Sequence, residues 1–91
     1  MPQLFRICGY LVYFYANEGM PTESIHVHVG KKPAQADAKF WITRRGKLLM
    51  EYDHINLSRQ EYRVITSFIE ANIGDVEAKW TVYFGEVRYK C

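Results

Sequence analysis

Ser58-Arg59-Gln60-Glu61 is the stretch that decides the fold, because the hydrophobic periodicity of the chain changes at this point. A serine with a glutamate three residues later is a capping box, which is typical of a helix N-terminus. Beyond it, apolar residues recur at the spacing of one helix face. These residues are Tyr62, Ile65, Phe68, Ile69 and Ile73. The stretch therefore predicts a helix that begins after Ser58, with these residues as its buried stripe.

Two glycines are expected to end helices further along the chain. Gly74 is placed to end the first helix in a left-handed conformation, which glycine adopts without strain. Asp75 is then expected to cap a second, shorter helix, which Gly85 closes. We expect this second helix to bury one stripe, formed by Val76, Trp80, Tyr83 and Phe84. Residues 86–91 are predicted to form a tail with some strand character.

Upstream of Ser58 the apolar residues follow the period of two that is typical of strands. Gly, Pro and Asn residues separate these segments and predict turns. The predicted strands are residues 4–7, 10–15, 25–29, 37–43 and 47–52. Both faces of residues 10–15 are apolar, so we expect this strand to be covered on both sides.

The order of these elements predicts an α+β fold, an antiparallel meander of four to five strands followed by two helices packed on one face. Ninety-one residues suffice for a single domain with one core. We expect residues 1–53 to form mainly strands, residues 58–85 the two helices and residues 86–91 the tail.

The composition argues against disorder but excludes few classes of function. Hydrophobic residues make up 48% of the chain, and a net charge of +2 does not by itself indicate nucleic-acid binding. Basic residues do cluster at predicted turns, namely Lys31 and Lys32, and then Arg44, Arg45 and Lys47. They are interpreted either as solvated turn residues or as a shallow phosphate-binding rim.

No targeting or membrane segment is expected. Arg6 interrupts the first apolar run, and no stretch approaches the roughly 20 apolar residues that a membrane helix needs. The protein is therefore expected to be cytoplasmic, without a membrane partner and with Cys8 and Cys91 reduced. Cys8 is expected in the core or in a turn.

His26-Val27-His28 is the most distinctive chemical pattern, since both imidazoles project from the same face of one predicted strand. Such a pair can share a metal ion, transfer a proton or contact a phosphate. It can equally be the solvated side of an edge strand. The residues alone leave these alternatives open.

Several short motifs together resemble one protein family. In chain order they are Phe5-Arg6-Ile7, Gly9-Tyr10, Tyr13-Phe14-Tyr15-Ala16-Asn17-Glu18, His26-Val27-His28-Val29, Ala38-Lys39-Phe40-Trp41, the helix start at Leu57-Ser58, and Trp80 with Tyr83-Phe84-Gly85. Their order and spacing, from about Pro2 to Gly85, resemble the small bacterial proteins called domain of unknown function 4160. The resemblance implies this type of fold, a bacterial or phage setting and an association with toxin–antitoxin-like systems.

The chain departs from the family pattern between Asn17 and His26. Family members carry Asn-Glu-His-x-Pro-Pro-His-x-His there, whereas this chain has a longer loop without the first histidine and the double proline. A metal site that used the missing histidine would be incomplete in this chain.

A metal site would need at least one further ligand beside His26 and His28. The candidates are Glu18, Glu23, Glu51, Asp53 and His54. No characteristic ligand spacing fixes such a site. We therefore expect no cofactor, with a divalent metal held by His26 and His28 as the alternative.

A metal-free nuclease is a second hypothesis. His26 and His28 would act as base and acid, because imidazole titrates near neutral pH. Lys39 would hold a phosphate if it lies on the same face, and Trp41 would stack on a base.

An interaction module without chemistry requires the fewest coincidences and is the leading hypothesis, so an enzyme is not favoured. Exposed Tyr, Trp and His side chains on a half-covered sheet offer an adhesive face, and edge strands pair with other chains. The candidate binding residues are Lys39, Trp41, Arg44 and Arg45. We expect a protein partner, self-association or RNA, in a toxin–antitoxin-like or phage-related system.

Overall fold

The computed structural model describes residues 2–16 and 23–91. Within these residues, five strands precede two helices. The strands are β1 (Gln3–Ile7), β2 (Tyr10–Tyr13), β3 (His26–Gly30), β4 (Asp37–Ile42) and β5 (Leu48–Asp53), and the helices are α1 (Arg59–Ala71) and α2 (Ile73–Phe84). The predicted strands are found, although β2 ends two residues earlier than the pattern indicated.

The five strands form one sheet in the order β1-β2-β3-β4-β5, and each neighbouring pair is antiparallel. The predicted meander and the α+β class are confirmed. The turn between β1 and β2 shows how the chain reverses so tightly. Cys8 and Gly9 both have positive φ, at 54° and 76°, as the favoured two-residue hairpin turn requires. Cys8 is accordingly an exposed turn residue.

The core lies between one face of the sheet and the two helices. Val27 of β3 and Phe40 of β4 have no exposed surface and belong to one buried cluster with Ile65 and Ile69 of α1. The other fully buried members of this cluster are Val12, Phe14, Ile25, Val29, Ala38, Ile42, Val76 and Trp80. Burial of one such side chain, apart from the smaller Ala38, stabilises a fold by about 1.5–3 kcal/mol. This layer therefore supplies most of the hydrophobic stabilisation.

The predicted capping box starts α1. Glu61 N–H donates to Ser58 Oγ at 3.0 Å, and Ser58 N–H donates to Glu61 Oε1 at 2.9 Å. The two bonds satisfy backbone donors that have no partner within the helix. In the part of the chain that the structure describes, no helix has the length and apolar character needed to cross a membrane.

The boundary between the two helices differs from the prediction. α1 ends just before Asn72 and α2 begins just after it, so Gly74 lies in the first turn of α2 and does not end α1. Asn72 Nδ2 donates to Phe68 O at 2.8 Å. Asparagine competes for helix backbone groups in this way, which explains the earlier end. Asp75 is consequently a residue of the first turn of α2, not its cap.

Three aromatic residues of the predicted buried stripes are more exposed than expected. Tyr62 and Phe68 of α1 are 36% and 38% exposed, and Tyr83 of α2 is 47% exposed. Ile65 and Ile69 are fully buried and fill the contact between α1 and the sheet. The aromatic rings lie at the margins of this contact, because a helix face presents fewer positions to a sheet than its apolar stripe contains.

The 86–91 segment lies beside the sheet without forming a strand. Ile25 N–H donates to Arg88 O at 2.8 Å, and Arg44 N–H donates to Cys91 O at 3.0 Å. Two alternate residues of the segment are partly buried against the core, namely Val87 and Tyr89. The segment therefore follows the predicted alternation and lies next to the start of β3 and the end of β4.

Candidate functional site

β3 carries His26 and His28 in the middle of the sheet. Val27 and Val29 alternate with them and enter the helix-covered core, so both imidazoles project toward the opposite face. His26, the first residue of β3, also contacts Trp80 of that core. His26 has no exposed surface, and His28 is 4% exposed. The interpretation of the pair as the solvated side of an edge strand is wrong. β3 has a hydrogen-bonded strand on each side, and aromatic rings pack against both imidazoles.

Strand register places the candidate residues on one face. Trp41 lies opposite His26, and Lys39 lies opposite His28. Directly opposed residues of antiparallel strands project to the same face. Lys39 therefore shares the face of the two histidines, which is the condition that the nuclease hypothesis set for it. Tyr13 of β2 lies opposite His28 on the other side.

Asp37 orients the His28 ring. His28 Nδ1 donates to Asp37 Oδ2 at 2.6 Å, and Tyr52 Oη donates to the same oxygen at 3.4 Å. Asp37 is the first residue of β4, and its side chain is largely buried. A carboxylate at Nδ1 fixes the imidazole tautomer and makes Nε2 the basic atom of the neutral ring. The sequence gives no indication of this partner.

Tyr13 and Tyr15 pack against the His28 ring. Tyr13 stacks on it with 5.4 Å between ring centroids, and Tyr15 meets it edge-on at 5.3 Å. Burial, together with the neighbouring Tyr15, raises the pKa of the Tyr13 hydroxyl well above its ordinary value, so this group stays neutral. We call Tyr13, Tyr15, His26, His28 and Asp37 the histidine–tyrosine cluster.

His26 is packed between rings. Its Nδ1 donates to Ser24 O at 2.9 Å. Its ring lies close to those of His28, Trp41 and Trp80, with centroids 5.2, 5.3 and 5.3 Å away. Because the imidazole has no exposed surface, it contributes to packing in this conformation and cannot touch a ligand in solution.

Glu51 lies among three donors on the same face. Trp41 Nε1 donates to Glu51 Oε1 at 2.9 Å. Lys39 Nζ lies 3.5 Å from Glu51 Oε2, and Lys90 Nζ lies 3.8 Å from Oε1. The two ammonium groups also lie 4.3 and 4.4 Å from the centroid of the Trp41 ring. Burial alone would raise the Glu51 pKa, but the Trp41 N–H and the two lysines hold this pKa below its ordinary value.

The position of Glu51 depends on an irregularity in the pairing of β4 with β5. Lys39 of β4 pairs with Tyr52. The next residue, Phe40, pairs with Met50, so Glu51 is an extra residue of β5. A bulge of this kind turns a side chain out of the regular alternation. It explains how the Glu51 carboxylate reaches the Lys39 ammonium.

Arg44 and Arg45 lie exposed in the turn between β4 and β5. The backbone of Arg44 is bonded to the 86–91 segment, which brings further cations to this turn. We define the basic end of the sheet as Arg44, Arg45, Arg88 and Lys90, together with Lys39, whose ammonium lies over Trp41 although its backbone lies within β4. Lys31 and Lys32 lie instead in the turn between β3 and β4, at the other end of these strands. The two basic clusters seen in the sequence therefore do not form one rim.

A match to a known family covers most of the chain. The model of the family described as Domain of unknown function (DUF4160) matches residues 9–81. The chain belongs to the DUF4160 family. The resemblance found in the sequence motifs is thereby confirmed. No curated protein and no solved structure matches the chain.

The DUF4160 match includes the whole histidine–tyrosine cluster and the pair Trp41 and Glu51. Arg88 and Lys90 lie beyond the matched residues, so the 86–91 segment adds two cations from outside the family model. Residues 17–22, in the stretch where the sequence departs from the family pattern, lie outside the described residues.

The described residues of this DUF4160 domain bring no group of three or more His, Cys, Asp or Glu side chains together for a metal ion. Asp53 accepts from two backbone N–H groups of the loop that follows β5. His54 stacks on Tyr52, with ring centroids 4.4 Å apart. Glu23 is half-buried before β3, and Glu18 lies outside the described residues.

Three residues of the candidate site could not be assigned a role from their local sequence. Asp37 carries no signal beyond its place at the start of a strand. Glu51 is a candidate from the sequence only as a metal ligand. Lys90 lies in the tail, where the alternation of apolar and basic residues is the available signal. Each role depends on contacts between distant parts of the chain.

Proposed function

We propose that this domain is an RNA-interaction module that contacts phosphates with the basic end of its sheet. One observation carries the proposal. Arg44 N–H donates to Cys91 O at 3.0 Å, which draws Lys90 toward the end of β4. Lys90 lies over Trp41 beside Lys39. Cations that are distant in the sequence thus share one end of the fold.

The basic end holds more positive charge than its acidic neighbours cancel. It contains five Lys and Arg side chains. Among the described residues, two carboxylates form ion pairs with them, Glu51 with Lys39 and Lys90, and Glu86 with Arg88. These five cations therefore outnumber their paired carboxylates by three. Clustered Lys and Arg side chains of this kind attract and hold phosphates.

RNA is favoured over a protein partner by the aromatic rings that lie among the cations. A protein partner would instead use the exposed apolar residues of β5, α1 and α2, which are Leu49, Met50, Tyr62, Val64, Phe68, Val82 and Tyr83. Aromatic rings among cations, as at Trp41 and Tyr89, are typical of surfaces that hold single-stranded nucleic acid. A protein partner or self-association is an outcome that the following test distinguishes.

The test is the affinity for a single-stranded RNA at several salt concentrations. We expect the logarithm of the affinity to fall linearly with the logarithm of the salt concentration, because bound cations are released from the RNA. Arg44→Ala with Arg45→Ala should lower this slope by about 1.4, because each arginine would neutralise one phosphate and each phosphate of a single strand contributes about 0.7. The matched control is Lys31→Ala with Lys32→Ala, which removes the same charge at the other end of the strands and should leave the slope unchanged.

Three results would overturn the proposal. The first is an affinity that does not respond to salt. The second is an equal loss of affinity in the two double variants. The third is sedimentation of the chain as a dimer that binds no RNA, which would favour self-association.

A nuclease or a metal-binding protein that uses His26 and His28 is the alternative. The His28–Asp37 hydrogen bond favours it, because a carboxylate that orients an imidazole is typical of general bases. The burial of His26 opposes it. RNA cleavage that is abolished in His28→Ala, or stoichiometric zinc or manganese in protein prepared without chelators, would support the alternative over binding alone.

A bacterial cytoplasm and a toxin–antitoxin-like or phage-related system are the proposed setting, and the family resemblance is their support. Expression of the chain alone in a bacterial host tests the toxin role. An RNA-directed toxin should arrest growth, and Arg44→Ala with Arg45→Ala should relieve the arrest. Unimpaired growth would contradict a toxin role.

A further inference from the structure

The Glu51 carboxylate occupies a point on which three donors converge. Trp41 Nε1 donates to it at 2.9 Å, and the ammonium groups of Lys39 and Lys90 lie 3.5 and 3.8 Å from its oxygens. One N–H donor and two cations around a single point suit any small oxyanion, since each can face a different oxygen. We propose that Trp41, Lys39 and Lys90 form a binding site for one phosphate group, which Glu51 fills until a phosphate displaces it.

This inference rests on the proposed function for the source of the phosphate, the backbone of an RNA strand. It adds a specific site to the general attraction of the basic end. It also gives Glu51 a regulatory role, because the carboxylate competes with the ligand for the same three donors. An RNA strand that also contacts Arg44 should displace Glu51 more readily than a lone phosphate does.

The contacts of Glu51 are weak enough for another anion to replace its carboxylate. Both ammonium–carboxylate distances exceed the roughly 2.7–2.9 Å of a strong charge-assisted hydrogen bond. The side chain of Glu51 is 36% exposed and that of Lys90 is 52% exposed, so solvent and ions reach both groups. The Lys90–Glu51 pair is exposed on both sides and therefore contributes little to folding.

Two features indicate a specific binding site and not an incidental surface ion pair. The β5 bulge places Glu51 against Lys39 and Trp41, and bulges recur where a side chain must be re-aimed beside a functional site. The Lys39 side chain is only 13% exposed, and its ammonium lies over the Trp41 ring beside the Glu51 carboxylate. Glu51 supplies the anion beside this ammonium in this conformation, and a phosphate would supply it in the complex.

The experiment follows the indole N–H resonances of Trp41 and Trp80 by NMR while inorganic phosphate, and separately a single-stranded RNA, is added. Disappearance of a signal in Trp41→Phe assigns the two resonances. Each ligand should shift the Trp41 signal and leave that of the buried Trp80 in place. Glu51→Gln keeps an acceptor for the indole and removes the charge, so it should tighten phosphate binding roughly fivefold.

Glu86→Gln is the matched control. It removes the same charge at the same end of the sheet, but Glu86 pairs with Arg88. It should change phosphate affinity less than about twofold. Lys90→Gln should weaken phosphate binding, also in combination with Glu51→Gln. Equal effects of Glu51→Gln and Glu86→Gln, or a Trp41 signal that does not move, would overturn the inference.

The phosphate site and the RNA-interaction module fail in different ways. Salt-dependent RNA binding without movement of the Trp41 signal would exclude the phosphate site but would still support the RNA-interaction module. If phosphate shifts the Trp41 signal but no RNA binds at low salt, the RNA-interaction module is excluded. The anion site regulated by Glu51 would still be supported.

Discussion

His28 Nδ1 donates to Asp37 Oδ2 across 2.6 Å, from the centre of β3 to the first residue of β4. The residue opposite Asp37 in the pairing is Gly30. A Cβ at Gly30 would lie 3.1 Å from Ala36 O and 3.4 Å from Asp37 Cβ. Glycine thus lets the backbone approach closely at the point where the Asp37 carboxylate turns toward His28.

Asp37→Ala should lower the free energy of unfolding by about 1–3 kcal/mol, because the buried imidazole donor is left without its acceptor. Asp37→Asn should cost less, since the amide oxygen still accepts. Urea unfolding measures both. Asp75→Ala, an exposed aspartate in the first turn of α2, should cost less than about 1 kcal/mol. Equal destabilisation by the two alanine variants would show that Asp37 does not orient His28.

Two valines of α2 test where its buried face lies. Val76 has no exposed surface, whereas Val82 is 81% exposed. Val76→Ala should destabilise the domain by about 1.5–3 kcal/mol, because it buries less apolar surface and leaves an unfilled cavity. Val82→Ala should stay within about 0.5 kcal/mol of the parent protein. Thermal unfolding of both variants checks the prediction, and the reverse order would contradict the orientation of α2.

Two glycines test the revised helix boundary. Gly85 ends α2 with φ of 81°, so Gly85→Ala should cost about 1 kcal/mol or more. Gly74 lies inside α2, and a Cβ there would meet nothing within 4 Å. Gly74→Ala should therefore stabilise the domain by about 0.4–1 kcal/mol. Destabilisation by Gly74→Ala, measured by urea unfolding, would restore Gly74 as a helix end.

Glu61 should make α1 sensitive to acid. The backbone N–H of Ser58 lowers the Glu61 pKa below its ordinary value of 4.5, so the ionised carboxylate stabilises the folded state. This contribution is present above that value and is lost as the pH falls through it and below. Glu61→Gln should therefore be less stable than the parent protein at neutral pH, and the difference should shrink near pH 3, as measured by urea unfolding. A difference that is the same at both pH values would contradict the role of the charge.

The order of the elements could be predicted because its signals are local. The capping box at Ser58 and the period of two upstream each act over a few residues. The helix boundary is harder, since Asn72 and Gly74 are both good helix ends and tertiary packing selects between them. The exposure of Tyr62 also depends on how α1 is placed on the sheet, which no local pattern specifies.

Only the part of the candidate site that lies on a single strand could be predicted. The shared face of His26 and His28 follows from strand geometry. Their burial does not, because it comes from rings on neighbouring elements. The position of Glu51 depends on a bulge, and that of Lys90 depends on backbone bonds between the 86–91 segment and distant residues.

Those backbone bonds also fix the order in which the molecule can be completed during synthesis. Domains fold as the chain leaves the ribosome, and the strands and both helices precede Arg88 in the sequence. Arg88 O accepts from Ile25 N–H, so the segment can dock only after β3 is in place. The strands are therefore translated before Arg88 and Lys90, and these two cations join Arg44 and Arg45 only when the segment docks. A chain whose segment is undocked keeps Lys39, Arg44 and Arg45, but the backbone N–H groups of Ile25 and Arg44 then lack these two carbonyl acceptors.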